Sequence, residues 1–493
     1  MRAALPGVLL AVGSGLVYLL IAGSFHFDFK QTHFPHHLFM ADALLHGQLH
    51  IRPEVLTWKQ EQLVSEALAQ LDRQARQTGA VISAAKREAT ISQQALTVRH
   101  DWAVYQGRRY GYWGLLTPLL MVPCVACWGV GISDQLIGAL CGALNVGLFY
   151  WLLRRVERTG LCPMSAACRV TLTLLLALGT SLFWLSCAGQ VWFTIQVVTL
   201  AAVLLAMLAA CAAGNGVGQY VLAGACFGAA ILGRSVVIFL GLFFITLIWQ
   251  RCRADERPWL RSFLLRATAF CGPLAGALGV QAWYNDARFG DVTQSGLDIQ
   301  IRTAGNPRFQ KEYEQYGAFS LHYWPKNFKH YFWNCRFPRD NDGRLSYDGD
   351  GNSVFLMTPP LLYIFLAWRR WTAFAAALLA GVVPLVAMLL LFNGTGWVQF
   401  GPRYLLDATP LLLLLVAIGM RGRLTLASCG LVVVAIAVQL YGVSRVCAVE
   451  FGPLQSWISE KTLPPAAATV ILAGVALSLW SRRHNGRFAR QSG

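Results

Sequence analysis

The chain has 493 residues, of which 56% are hydrophobic and only 13% are charged, whereas about a quarter of the residues of a soluble domain are charged. This balance excludes an ordinary soluble globular protein, which could not bury so much apolar surface. The net charge of +17 does not indicate a nucleic-acid partner, because the excess of arginine lies in short clusters at the ends of apolar blocks.

The first apolar block runs from Leu5 to Ser24 and follows a single basic residue, Arg2. Its length matches the roughly twenty residues that cross about 30 Å of hydrocarbon at about 1.5 Å per residue. No small-residue cleavage site precedes the acidic and aromatic sequence that follows. We therefore predict that residues 1–25 form a retained first transmembrane helix rather than a removed signal peptide.

Apolar blocks recur along the rest of the chain. They lie at 113–131, 135–153, 170–188, 192–213, 220–233, 235–249, 262–282, 353–368, 372–392, 405–420, 424–443 and 465–481. They predict an all-α integral membrane protein with about 12–13 transmembrane helices, in one bundle over 113–282 and a C-terminal bundle over 353–481. The block with Pro118 and Pro123 is predicted to be re-entrant or tilted, because the topology needs an odd number of crossings there.

Arginine clusters at the block ends predict the orientation of the chain. They lie at 154–158, 251–266, 369–370, 421–423 and 482–490. The positive-inside rule places all of them in the cytoplasm. Both termini are then inside, and 482–493 forms a basic cytoplasmic tail. Residues 26–112 and 283–352 become two long extracytoplasmic loops.

The first outer loop is predicted to contain three helices. Apolar residues at 38, 41, 44 and 45 share one helical face, and Gly47 favours a helix end, which predicts an interfacial helix along the membrane surface. Residues 58–97 are rich in Gln, Ala, Glu, Lys and Arg and are broken at Gly79. That composition is typical of two exposed helices, and we expect a helical insertion that stands off the membrane.

Polar and aromatic residues at the predicted outer boundary are candidates for binding a substrate or a phosphate group. They are Arg109, Tyr110, Trp113, Arg234, Gln399, Arg403 and Tyr404. An arginine at a helix end can simply extend its charged group to the interface. Two such arginines on one side, Arg234 and Arg403, favour an anionic ligand such as a lipid-linked phosphate.

The sequence predicts no metal site. His33 with His36 or His37 has a spacing that could hold a metal on a helix, but Pro35 weakens the helix. We expect these histidines to bind water, phosphate or a sugar hydroxyl instead. The acidic run 348–352 is predicted to be a turn rather than a calcium loop, because nothing supplies the glutamate and the helices of such a loop.

The 13 cysteines show no zinc framework. Most lie inside apolar blocks, where small core residues are the simplest interpretation. Cys335 and Cys447 fall in predicted outer loops, where an oxidising compartment would allow them to pair.

Four segments occur in a characteristic order: Ala41 to Gly47, Tyr110 to Pro118, Phe183 to Thr194 and Gln399 to Asp407. Together they resemble the GT-C superfamily of membrane glycosyltransferases, which includes the protein mannosyltransferases and the aminoarabinose transferases of lipid A. The resemblance runs across nearly the whole chain. It depends on the order and topology of the motifs more than on any one of them.

The resemblance implies that the chain transfers a hexosyl or pentosyl group from a polyprenyl-phosphate sugar donor. The implied partners are that donor, a glycan, lipid or protein acceptor, and membrane lipids. The expected location is a bacterial-type inner (plasma) membrane, with the active site on the extracytoplasmic side, although the composition alone fits an endoplasmic reticulum membrane equally. Some members of the superfamily use a divalent cation and others do not, so a divalent cation stays open as a cofactor.

Glycosyl transfer needs a carboxylate base, because the attacking hydroxyl must lose a proton. In the superfamily the base lies early in the first outer loop, which implies Asp28 by position and Asp42 on the surface helix as second candidate. Asp101 and Asp407 are lesser candidates, and Asp407 is expected to pair with Arg403.

The sequence also departs from the superfamily pattern. Several relatives carry an acidic residue directly before the surface helix, and here residues 31–37 contain none. Two alternatives therefore stay open. One is a non-catalytic relative with the same fold, and the other is a polytopic lipid or glycan transporter, which would share this composition.

Overall fold

A computed structural model describes residues 5–214, 216–255, 258–303, 307–339, 346–396 and 398–448. The N-terminal half contains α1 (Leu5–Ala22), α2 (His36–Leu45), α3 (Pro53–Thr78), α4 (Ala84–Arg99), β1 (Ala103–Tyr105), β2 (Arg108–Tyr110), α5 (Leu116–Trp128), α6 (Asp134–Arg158), α7 (Ala166–Leu178), α8 (Leu182–Ala188), α9 (Val191–Ala210) and α10 (Val217–Gly233). The C-terminal half contains α11 (Gly241–Asp255), α12 (Trp259–Phe289), α13 (Leu297–Thr303), α14 (Pro307–Tyr316), α15 (Trp324–Phe328), α16 (Val354–Met357), α17 (Ile364–Ala367), α18 (Ala373–Leu391), α19 (Thr409–Gly419) and α20 (Leu426–Val446).

Short non-α helical segments join several of these helices. They are the 3₁₀ segments Ser235–Leu240, Leu321–Tyr323, Pro359–Tyr363, Trp368–Arg370 and Arg403–Ala408, and the π-helical turn Lys329–Trp333. The two β-strands form one antiparallel hairpin between α4 and α5.

Seven helical segments of the described residues are long and apolar enough to cross a membrane. They are α1, α6, α9, Ser235–Ala254, α12, α18 and α20. The pair α7 and α8, bent by 44° at a short break, makes an eighth if it is counted as one span. These helices confirm the predicted all-α polytopic membrane fold. The predicted total of about 12–13 spans also included shorter apolar helices such as α5 and α10, and its last span, 465–481, lies outside the described residues.

Prolines shape two of the predicted blocks. Helix α5 has 13 residues with Pro123 inside it, and its length of about 20 Å falls short of a hydrocarbon core of about 30 Å. The prediction that this block is not a straight span agrees with that length. The block 353–368 is divided into α16, a 3₁₀ segment and α17, because Pro359 and Pro360 cannot continue the hydrogen bonding of one helix.

The helices of the first loop partly follow their predicted form. Helices α3 and α4 make the expected exposed pair, and α3 ends at Gly79, whose φ of 68° suits a left-handed cap. Helix α2 also forms, but eight of its ten residues are buried. Its apolar side chains pack with Trp102, Trp113 and Met121 of the neighbouring elements. Protein therefore covers most of this helix, and its position along the membrane surface stays a prediction.

Glycine contacts allow close packing within the bundle. Helix α10 packs against α9 and α12, and α6 packs against α1 and α9. At Gly224 of α10 an added Cβ would overlap the carbonyl oxygen of Phe270 on α12. Small residues of this kind let helix backbones approach each other, which favours association in lipid.

We predict that Gly224→Ala lowers the free energy of unfolding by about 1–3 kcal/mol, because the new methyl group meets a backbone atom that cannot rotate away. Thermal unfolding in detergent measures this loss. The matched control is Gly218→Ala on the same helix, where an added Cβ has no neighbour within 4 Å, and a gain of up to about 1 kcal/mol is expected from helix propensity. Equal unfolding temperatures for the two variants would contradict the close helix contact.

Candidate active site

A buried aspartate, Asp101, is held by three side-chain donors. Its Oδ2 accepts hydrogen bonds from Trp192 Nε1 (2.6 Å) and the Tyr112 hydroxyl (3.1 Å), and its Oδ1 accepts one from Gln300 Nε2 (2.6 Å). A buried carboxylate needs such partners to offset the loss of water. Its φ of 69° lies in the left-handed region, which aspartate enters more readily than most residues.

Four separate parts of the chain supply this group. Asp101 follows α4, Tyr112 follows β2, Trp192 lies in the first turn of α9 and Gln300 lies in α13. The β-hairpin reverses the chain and returns Tyr112 to the side of Asp101. Helix α13 packs against β1 and supplies Gln300. The site therefore forms only when the two long loops meet the start of α9.

Asp134 fixes the start of α9. It occupies the first turn of α6 and accepts hydrogen bonds from the Thr32 amide (2.9 Å), the Thr32 hydroxyl and the Gln190 amide (2.9 Å). Gln190 has a φ of 68°, so the chain turns sharply just before the helix. The carboxylate of Asp134 thereby connects the first loop to the segment that carries Trp192.

Arg403 adjoins this group through Trp192. Its Nη1 donates to the Trp192 carbonyl (3.3 Å), and its Nη2 donates to the Gly396 carbonyl. The side chain is buried, its Nε has no hydrogen-bond partner, and among the described residues no carboxylate lies within ion-pair distance of it. The guanidinium therefore keeps a positive charge that no directly paired acid neutralises in the described part of the chain.

Burial raises the pKa of Asp101 above its ordinary value. His100, the hydrogen bonds from Trp192 and Tyr112, and the charge of Arg403 all act in the opposite direction, but their effects are smaller. A raised pKa makes a carboxylate a stronger base for accepting a proton near neutral pH.

Arg234 pairs with Asp407 close to Arg403. Arg234 Nε lies 3.0 Å from Asp407 Oδ2, and the Asp407 side chain is fully buried. The expectation that Asp407 pairs with Arg403 is therefore wrong. Arg403 donates to two backbone carbonyls instead. Arg234 lies at the break after α10 and contacts Asp407, which is distant in the sequence. Both guanidinium groups lie about 5 Å from the ring of Tyr404, at 5.0 and 5.1 Å.

Hydrogen bonds from Gln399 stabilise the segment that carries Arg403. Its Nε2 donates to the carbonyls of Thr395 (2.7 Å) and Asp350 (3.0 Å), and its Oε1 accepts from the Arg403 amide (3.2 Å). The side chain is fully buried. In this arrangement Gln399 joins the second long loop to the arginine segment.

The predicted residues of the first loop have different contacts around the Asp101 group. Trp113 stacks on Tyr112, with ring centroids 4.3 Å apart, so it supports a donor to the carboxylate. Tyr110 packs against Phe289, with centroids 5.3 Å apart. Arg109 belongs to the β-hairpin, and its carbonyl accepts from the Ile51 amide. Arg109 and Tyr110 therefore shape the hairpin beside the site.

The two aspartates ranked first from the sequence have other surroundings. Asp28 is largely exposed and lies 3.3 Å from Lys30 Nζ. Asp42 is buried in α2 and lies 3.2 Å from Arg52 Nη1 and 3.6 Å from His46 Nδ1. Among the described residues, no hydrogen bond or ion pair joins either aspartate to the Asp101 group.

The histidines of α2 hydrogen-bond to the backbone. His36 Nε2 lies 3.1 Å from the His100 carbonyl, and His37 Nε2 lies 3.1 Å from the Val191 carbonyl. His36 also stacks on Trp102, with centroids 3.9 Å apart. These contacts support the loop around Asp101. In the part of the chain that the structure describes, neither ring belongs to a group that could hold a metal.

One group of the described residues could hold a metal ion. His330, Asp348 and Asp350 each offer a ligand atom, and these atoms lie within 4.8 Å of one another. The run 348–352 forms a turn, as predicted, in which the Asp350 amide donates to Asp348 Oδ1 (3.1 Å). Its proximity to His330 comes from the tertiary fold. Cys335 and Cys447, for which the sequence allowed a disulfide, are free thiols.

Sequence reasoning missed part of this site. It ranked Asp101 below Asp28 and Asp42, and it singled out neither Asp134 nor Gln300. Asp101 lies in a run of histidine, aspartate and tryptophan just before the loop returns to the membrane, and Asp134 opens an apolar block. A carboxylate at such a boundary is a detectable signal, because it needs a partner once the helix is buried.

No family model and no curated protein matches the chain. Among solved structures it is similar to the apo form of the oligosaccharyltransferase of Archaeoglobus fulgidus, with a TM-score of 0.47 and 11% sequence identity over 92% of this chain and 57% of that one. It is also similar to ArnT from Cupriavidus metallidurans bound to undecaprenyl phosphate, with a TM-score of 0.41 and 14% identity over 95% of this chain and 75% of that one. The chain thus spans 57% of the length of the oligosaccharyltransferase. At these identities neither similarity identifies a site residue.

The buried histidines predict a loss of stability in acid. Burial lowers the pKa of His36 and of His37 to about 3, whereas an unfolded histidine titrates near about 6.5. Between these values the unfolded chain binds more protons than the folded chain. Stability therefore falls as the pH drops from about 6.5 toward 3, by up to about 1.4 kcal/mol per pH unit for each ring.

We expect the unfolding temperature to decrease between pH 6.5 and pH 4, with a smaller decrease in a His36→Phe/His37→Phe variant, whose rings cannot titrate. Circular dichroism at a series of pH values measures both slopes. The exposed His26→Phe variant is the control. A wild-type unfolding temperature that stays constant over this range would contradict the buried, neutral state of both rings.

Proposed function

We propose that the protein is a membrane glycosyltransferase of the GT-C type, which moves a sugar from a polyprenyl-phosphate donor to an acceptor hydroxyl. One observation carries the proposal. A buried carboxylate, Asp101, and a buried arginine with no paired acid among the described residues, Arg403, contact the same residue, Trp192. A base and an anion site are the two groups that this reaction requires.

Asp101 is suited to act as the general base. The acceptor hydroxyl forms a bond from its oxygen to the anomeric carbon, and its proton passes to the carboxylate. The bond between that carbon and the phosphate oxygen breaks, and polyprenyl phosphate leaves with the electron pair. Among the described residues, Oδ1 of Asp101 accepts one side-chain hydrogen bond, from Gln300, so it retains a lone pair for the proton.

Arg403 is suited to stabilise the charge on the leaving phosphate. The charge on that phosphate grows as the bond breaks, and a guanidinium in a site of low dielectric constant stabilises it. Arg234 lies on the same tyrosine ring, but its charge is shared with Asp407. Arg403 therefore makes the main electrostatic contribution, and the Arg234 pair holds Tyr404 in place.

The proposed location and partners follow from the arginine clusters and the apolar bundle. The site lies on the extracytoplasmic side if the arginine clusters face the cytoplasm, which corresponds to an inner (plasma) membrane in a bacterial cell. The end of an apolar bundle suits a donor whose polyprenyl chain stays in the lipid. The acceptor is a glycan, lipid or protein hydroxyl, and a hexosyl or pentosyl group is the sugar that we propose to be transferred.

Sugar transfer in proteoliposomes tests this function. A panel of radiolabelled polyprenyl-phosphate sugars is offered to the wild type and to Asp101→Asn, Asp28→Asn and Asp42→Asn. We expect Asp101→Asn to lose about 10²–10⁴-fold in kcat, the usual contribution of a general base, with donor binding retained. The Asp28 and Asp42 variants are expected to stay close to the wild type.

Other results would revise the assignment. Loss of transfer in the Asp28 or Asp42 variant alone would move the base to that residue within the same reaction. If the wild type turns over no donor but moves lipid between leaflets, the protein is a transporter. If it does neither, it is a non-catalytic relative.

Donor affinity tests the role of Arg403. Lysine keeps the positive charge but cannot donate two parallel hydrogen bonds to a phosphate. We expect Arg403→Lys to raise the donor KM about 10- to 150-fold, since one charge-assisted hydrogen bond contributes about 1.5–3 kcal/mol. The control is Arg288→Lys, because buried Arg288 already donates to Tyr284, Asn285 and Gly111. An equal change in KM for both variants would contradict a specific phosphate site at Arg403.

A further inference from the structure

A second charged site lies at the opposite end of α6 and α9. Asp134 begins α6 beside Gln190, where α9 starts. Arg154 is twenty residues further along α6, which corresponds to a distance of about 30 Å along the helix axis. A ligand at that end is therefore separate from the Asp101 group.

An open cleft of about 390 Å³ lies between the ends of these two helices. Helix α6 supplies Trp151, Arg154, Arg155 and Arg158 to its walls. The other wall is Leu208 near the end of α9 and Ala212 just after that helix. One wall is therefore strongly basic, and the other is apolar.

The three arginines have no paired acid within the described part of the chain. Glu157, the acidic residue among them, pairs with Arg169 of α7. Arg155 Nη1 donates to the carbonyl of Leu208 (2.8 Å), which holds its guanidinium at the cleft. Three positive charges thus line one cleft, and like charges at such distances repel unless an anion lies among them.

The helix dipole explains only part of this arrangement. A cation near the last turn of a helix is favoured by about 0.3–1 kcal/mol, which accounts for an arginine at the end of α6. It does not account for a cleft with an apolar wall and a tryptophan. An anionic phospholipid matches both walls, since its phosphate can contact the arginines and its acyl chains the apolar residues.

We propose that this cleft binds the phosphate headgroup of an anionic phospholipid in the cytoplasmic leaflet. The proposal does not depend on the glycosyltransferase activity. It uses the orientation in which the arginine clusters face the cytoplasm.

Native mass spectrometry of the full-length chain in neutral detergent tests the proposal. The protein is titrated with phosphatidylglycerol, with phosphatidylcholine and with inorganic phosphate, and the bound molecules are counted. The test variant is Arg154→Gln/Arg155→Gln/Arg158→Gln. The matched control, Arg261→Gln/Arg421→Gln/Arg423→Gln, removes the same charge from exposed arginines outside the cleft. We expect the cleft variant to bind the first phosphatidylglycerol at least about tenfold more weakly, and the control to stay within about twofold of the wild type.

A second variant keeps the test decisive if the triple variant does not fold. Arg158→Gln changes one exposed residue at the end of α6 and is expected to weaken phosphatidylglycerol binding by about threefold. Equal losses in the cleft and control variants would overturn the site in favour of general surface charge. Binding of inorganic phosphate as tightly as phosphatidylglycerol, or equal binding of phosphatidylcholine, would overturn the assignment to an anionic lipid.

Discussion

The carboxylate of Asp134 holds together the end of the bundle on which the candidate active site forms. It accepts hydrogen bonds from Thr32 in the first loop and from the amide of Gln190 just before α9. The position of Gln190 determines where Trp192 enters the helix, and Trp192 contacts both Asp101 and Arg403. Apolar helices offer few polar anchors, because an unpaired polar group in hydrocarbon is costly. A buried acid at a helix start can therefore control the path of a whole loop.

The two arginines of the site, partly buried Arg234 and buried Arg403, differ in how their charge is compensated. Arg234 lies against the carboxylate of Asp407, and an ion pair of this kind would leave a costly buried charge if one partner were removed. Arg403 donates to neutral carbonyls and has no paired acid among the described residues. The first arrangement stabilises the fold and orients Tyr404. The second keeps a net positive charge beside Asp101, which is the property that an anionic substrate requires.

The backbone around the site is constrained as well. Asp101 and Gln190, two non-glycine residues near Trp192, both have φ close to 70°, at 69° and 68°. Such conformations persist only where the surrounding contacts maintain them. Here the contacts are the three donors to Asp101 and the bond from Gln190 to Asp134. The site is thus preorganised, and charge that develops during a reaction would meet groups already in position.

The sequence by itself determined the features that depend on local composition. These are the membrane class, the apolar helices, the arginine clusters at their ends and the break of the exposed helical pair at Gly79, because length, hydropathy and turn chemistry act over a few residues. The sequence also predicted that Arg234 and Arg403 lie on the same side of the membrane, and this stays a prediction. Only the tertiary structure decided which carboxylate meets which donor. Asp101 is 91 residues from Trp192 and 199 from Gln300, and Arg234 is 173 from Asp407. Pairings over such separations depend on how the helices pack and where the loops return. No local sequence pattern predicts them.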